Sequence, residues 1–60
     1  MENLRKYRLQ AGLTQEELSQ KSGVSRVTIS MLESGRQKTT TNTTILALAN
    51  ALNIPAGVLV

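Results

Sequence analysis

Apolar residues recur along this chain at intervals of three and four, and no stretch alternates as a half-buried strand requires. Leu4, Tyr7 and Ala11 define the inward stripe of a first helix, and Gly12 supplies its stop. Thr14, followed three residues later by Glu17, is a capping box in which each side chain satisfies a free amide at the start of a second helix. Leu18 is the main inward residue there, and Ser19 is small enough for another helix to cross closely. Gly23 tolerates positive φ and ends that helix. Val24 fills the corner, Ser25 caps a third helix over about 25–34, and Ile29 and Leu32 face inward before Ser34 and Gly35 close it.

The stretch RQKTTTNTT is polar and turn-rich, an exposed loop leading to a cap at Thr41 or Asn42. A fourth helix follows with Ile45, Leu48, Ala49 and Leu52 on one stripe. Asn53 and Pro55 then bracket a last short turn, about 56–59, carrying Val58 and Leu59. The expected fold class is all-α, a compact five-helix bundle forming a single domain over 1–60.

The glycine break at position 23 is the feature to explain. Two short helices joined by a tight turn can be set at a steep angle, so that one projects from the surface. Leu18, Val24, Ile29 and Leu32 supply the buried positions of such a unit, Ser19 the crossing and Gly23 the turn. This is the pattern of a helix-turn-helix over about 15–34, whose second helix enters the major groove of DNA.

Composition narrows the chemistry. The 60 residues include no Cys, no His and no Asp, and the only side-chain acids are four glutamates. A thiolate zinc site, a disulfide framework or a general acid/base pair has few components to draw on, so neither an enzyme nor a metal or cofactor is expected. The net charge of +3 favours a polyanionic partner such as nucleic acid. No apolar run is long enough to span a bilayer, the first ten residues lack a signal-peptide core, and no small-molecule ligand is evident. A cytoplasmic protein without membrane association is the expectation.

Helical spacing leaves Arg26, Val27, Thr28, Ser30 and Met31 outward on the third helix. Arg26 is the candidate base reader because its fork can bond guanine O6 and N7 together; its alternative is a phosphate or solvent. Val27 offers apolar contact to a thymine methyl, and Met31 fits either such a contact or a place in the core or an apolar interface. Gln15 stands in the first turn of the second helix, where free amides and the dipole favour a phosphate. Ser34, Arg36 and Lys38 follow the third helix and can grip the backbone on the other side of the groove. Arg8 and Glu33 carry opposite charges where the pattern calls for apolar residues, which suggests a buried ion pair between the first and third helices. Ile54, Val58, Leu59 and Val60 are more apolar surface than so short a chain can bury, and point to a dimer contact near the C-terminal segment.

With LRKYRLQAGLTQEELSQKSGVSRVTISMLESG and TTILALANALNIP, the chain resembles the lambda-repressor-like helix-turn-helix domains, the family of phage repressors, Cro proteins and small bacterial regulators. The segments GLTQEEL and GVSRVTISMLESG are the most specific part of that resemblance. It implies a transcriptional regulator, more often a repressor, that binds double-stranded, pseudo-palindromic operator DNA as a homodimer and without a cofactor. It also implies base contacts from Ser25, Arg26, Val27 and Met31, a phosphate contact from Gln15, and pairing of Arg8 with Glu33. The loop RQKTTTN departs from the family by being one or two residues longer and lacking a proline near its end. An antitoxin that also binds a toxin is an alternative within the class. A pure protein-interaction module is the alternative outside it, disfavoured by Arg26 and the small hydroxyls of the third helix.

Overall fold

The second, third and fourth helices of this chain each begin at a side-chain cap and end at a residue in the left-handed conformation. The computed structural model describes residues 1–59, and among these all regular structure is helical: α1 (Glu2–Gln10), α2 (Gln15–Ser22), α3 (Arg26–Ser34), α4 (Asn42–Leu52) and a closing 3₁₀ turn (Ala56–Val58). Thr14 Oγ1 accepts from Glu17 N at 3.0 Å while Glu17 Oε1 accepts from Thr14 N at 2.9 Å, so both halves of the capping box form. Ser25 Oγ accepts from Thr28 N at the head of α3, and Thr41 Oγ1 accepts from Thr44 N at the head of α4.

Gly23 and Gly35 terminate α2 and α3 with φ of 78° and 81°, in the left-handed region where a Cβ is strained. The Gly23 amide closes α2 onto Ser19 O at 2.9 Å, after which only Val24 and Ser25 separate the two helices. That leaves no room for a wide loop, and α3 departs directly from the corner.

The core is aliphatic throughout. Leu4, Leu18, Ile29, Leu32 and Leu48 are fully buried, one or two from each of the four helices, with Ala49, Ala51, Leu52 and Leu59 completing the cluster. α2 packs against both α3 and α4, α1 packs against α3, and the 3₁₀ turn returns to α4.

The structure corrects the expected stripes in two places. In α1 the buried pair is Leu4 and Arg8, four apart; Tyr7 is half-buried, and Ala11 is exposed because it lies just past the helix end as its C-cap. The expected last short turn forms as a single 3₁₀ turn. Leu59, expected to be left over as interface surface, is buried in the core. It is carried there by the 3₁₀ turn, which Asn3 Nδ2 ties to α1 by donating to Val58 O at 2.9 Å. Ile54 and Val58 are half-buried, and Val60 lies outside the described residues. The apolar side chain that α4 leaves exposed is instead Leu46.

This burial pattern sets a test of the α4 faces. Leu48→Ala should cost about 2–5 kcal/mol, much of the roughly 3–9 kcal/mol that a domain of this size holds. Leu46→Ala should change stability by less than about 0.5 kcal/mol. Urea unfolding followed by circular dichroism compares them, and equal losses would mean that the inward face is assigned wrongly.

Candidate nucleic-acid interface

Burying Ile29 and Leu32 fixes the rotation of α3 about its own axis. With those two residues inward, Arg26, Val27 and Met31 are exposed, Val27 at 62% and Met31 at 36%. Val27 and Met31 are four apart and form one apolar ridge, while Thr28 and Ser30 sit half-buried on its flanks. Ser25 lies at the N-cap; its Oγ accepts from Thr28 N, which leaves the hydroxyl hydrogen free to donate outward. Arg26 opens the helix, its Nε 3.9 Å from Glu16 Oε2 on α2.

Behind this face sits a polar network. Arg8 Nε donates to Glu33 Oε2 at 2.7 Å and Nη2 donates to Oε1 at 3.0 Å, a two-pronged pair whose side chains are only 9% and 4% exposed. Arg8 Nη1 donates to Leu13 O at 2.8 Å, in the turn between α1 and α2. Gln15 Nε2 donates to Glu33 Oε1 at 3.2 Å. No buried side-chain nitrogen or oxygen among the described residues is left without a partner. The hydrogen bond to Glu33 lifts the Arg8 guanidinium above the ordinary arginine pKa; burial opposes this and the carboxylate charge adds to it. An arginine pKa raised on folding contributes stability below its ordinary value. That contribution is lost only as pH climbs through the raised value, so the arginine side of the pair is insensitive to pH through neutrality.

Gln15 therefore has an internal partner as well as an outward position. One of its two amide N–H groups is engaged with Glu33 and the other is available. Glu16 and Glu17 stand in the same first turn of α2, so an anion approaching there meets two carboxylates as well as the helix dipole. Ser34 Oγ donates to Met31 O at 3.2 Å and is exposed, as are Arg36 and Lys38 in the following loop. Gln37 shapes that loop: its amide N donates to Met31 O, and its side chain donates to Thr39 O.

The structure thus gathers Arg8, Gln15 and Glu33 into one cluster and sets Ser25, Arg26, Val27 and Met31 along one exposed edge. Arg36 and Lys38 stand apart on the loop. Arg5, Ser30 and Ser34 join the Arg8 cluster around an open polar cleft of about 210 Å³. Sequence spacing missed the approach of Glu16 to Arg26. The two lie on different helices across the corner, and no helical periodicity links them.

No group of three metal-ligating side chains occurs among the described residues, and no helix is long and apolar enough to cross a membrane. A glycine-turned helix pair presenting an exposed, partly basic helix edge defines a helix-turn-helix protein. The helix-turn-helix family model matches residues 4–59, nearly the whole chain. The protein belongs to the Cro-type (XRE) helix-turn-helix family, a family of DNA-binding transcription regulators. No curated protein matches the chain.

The polar network makes its own prediction. Removing one partner, by Arg8→Met or Glu33→Leu, should cost about 3–5 kcal/mol by stranding a buried charge, whereas the double replacement should cost little. A double-mutant cycle by chemical denaturation checks this, and additive losses would deny the coupling.

Proposed function

We propose that the protein is a sequence-specific repressor that inserts α3 into the major groove of double-stranded operator DNA and occludes a promoter. The observation carrying this reading is the exposed edge of Arg26, Val27 and Met31 on a helix whose rotation is set by buried Ile29 and Leu32. Arg26 reads a guanine through its fork, Val27 and Met31 contact thymine methyls, and the Ser25 hydroxyl donates to a neighbouring base or sugar. Phosphates are held by the free N–H of Gln15 at the head of α2, by Ser34 across the same polar cleft, and by Arg36 and Lys38 on the following loop. The pair of Arg8 and Glu33 has a structural part, fixing how α3 is presented.

Binding that is mostly electrostatic weakens with salt. If each protomer neutralises three to five phosphates, a dimer should show a log–log slope of about −5 to −9. Arg26→Ala should cost about 1–3 kcal/mol and relax preference at one base pair. Gln15→Ala should weaken all sequences alike. Fluorescence anisotropy on an operator selected from random duplexes measures all three, and a uniform loss for Arg26→Ala would make Arg26 a phosphate ligand.

The same reading takes the protein to act as a homodimer on a pseudo-palindromic site, with its two α3 helices about 34 Å apart. Leu59 is buried in the protomer, so this reading moves the dimer contact to α4 beside the 3₁₀ turn. There exposed Leu46 borders an apolar cleft of about 340 Å³ with Ile45, Ala56 and Gly57. Leu46→Lys should leave half-site binding intact and abolish cooperative binding to the full site. Sedimentation showing one protomer per full site for the unmodified protein would overturn the dimer.

A further inference from the structure

Arg26 occupies a position that helix energetics alone does not favour. It is the first residue of α3, where the positive end of the helix dipole opposes a cation. Across the corner, Glu16 is the second residue of α2, where the dipole favours its charge, and its Oε2 stands 3.9 Å from Arg26 Nε. The side chains are 58% and 64% exposed for Arg26 and Glu16, and no closer ion-pair partner reaches either among the described residues. So open a contact adds little to folding stability. Its consequence is for where the guanidinium points.

The contact is made on the Nε side. Arg8 turns its Nε and Nη2 edge into Glu33 and its Nη1 onto a carbonyl, so each of its three nitrogens is engaged within the fold. The closest approach of Arg26 to Glu16 is at Nε, and among the described residues no side-chain nitrogen of Arg26 donates a hydrogen bond within the fold. Its two terminal nitrogens can reach guanine O6 and N7 end-on. A carboxylate on the Nε side favours orientations of the guanidinium that leave its fork pointing outward. It also competes for Arg26 whenever the fork finds no guanine, and it repels phosphates that would otherwise draw the arginine sideways. A wrong base then gains less from Arg26 than it would from an unpaired arginine, which is how specificity arises as a difference between affinities.

We propose that Glu16 is a specificity-determining positioning residue: it holds Arg26 for end-on recognition of guanine and suppresses its use on other sequences. This rests on the reading of Arg26 as the base-contacting arginine. The proposal separates two properties of Glu16, its charge and its reach, and each has its own variant. Glu16→Gln keeps the shape and removes the charge. Glu16→Asp keeps the charge and withdraws it from Arg26.

The test measures affinity of the whole chain for four duplexes, the selected operator and its three substitutions at the base pair that Arg26 reads. Unmodified protein, Glu16→Gln, Glu16→Asp, Arg26→Ala and Glu16→Gln/Arg26→Ala are compared, with thermal unfolding as a control for folding. Glu16→Gln should bind the three substituted duplexes more tightly and lower discrimination by about two- to fivefold, the range an exposed ion pair supports. Glu16→Asp should also lose discrimination, while its affinity for bulk DNA stays near that of the unmodified protein. In the Arg26→Ala background the Glu16→Gln effect on discrimination should vanish. Equal tightening of all four duplexes by Glu16→Gln, persisting without Arg26, would reduce Glu16 to a bulk charge and overturn the proposal. If Arg26→Ala itself left the four affinities in unchanged ratio, the base-reading role of Arg26 would fall and the proposal with it.

Discussion

A single carboxylate, Glu33, holds three helices of this protein in register. It receives two hydrogen bonds from Arg8 on α1 and one from Gln15 on α2, while it stands in the last turn of α3. Arg8 extends the network to the carbonyl of Leu13 in the intervening turn. An acid in the last turn of a helix opposes the dipole, and burying it removes its hydration. It is tolerable here because its oxygens are bonded and its charge is met. What the arrangement contributes is less net stability than geometry, since a planar guanidinium facing a planar carboxylate admits few relative positions.

That constraint works together with the aliphatic core. Ile29 and Leu32 set the rotation of α3, because turning the helix would expose both. The buried pair at its C-terminal end and the tight Gly23 corner at its N-terminal end restrict how it slides and tilts. The result is a short helix whose outward edge is held from both ends. A domain with so small a core has little margin for such rigidity from packing alone. The polar network supplies geometry that a handful of leucines does not.

Charge is distributed around α3 in two different ways. Behind it, Arg8 and Glu33 are buried and their hydrogen bonds are made within the fold; at its head, Arg26 and Glu16 are exposed and loosely engaged. The first arrangement suits a fixed scaffold and the second a contact that can be exchanged for another. Gln15 lies between them in character, with one amide hydrogen turned to Glu33 and its position facing the head of α2. In the proposed complex, a phosphate at Gln15 would therefore be coupled to the buried pair through one side chain.

The helices, their caps and their breaks were legible in the sequence because these are local. Thr14 and Glu17, Ser25, Gly23 and Gly35 act within a turn or two of themselves, and the inward positions of α2 and α3 follow from spacing alone. Opposite charges at Arg8 and Glu33 stood out because they interrupt apolar stripes. The dipole of a single helix likewise marked Gln15 as placed for an anion. What the sequence could not decide depends on the placement of one helix against another. The burial of Leu59 required the 3₁₀ turn to fold back onto α4. The commitment of Gln15 to Glu33 and the approach of Glu16 to Arg26 both arise across helix boundaries. Such contacts have no period along the chain, since their distances are set by the crossing of helices. Only the packed core determines that crossing.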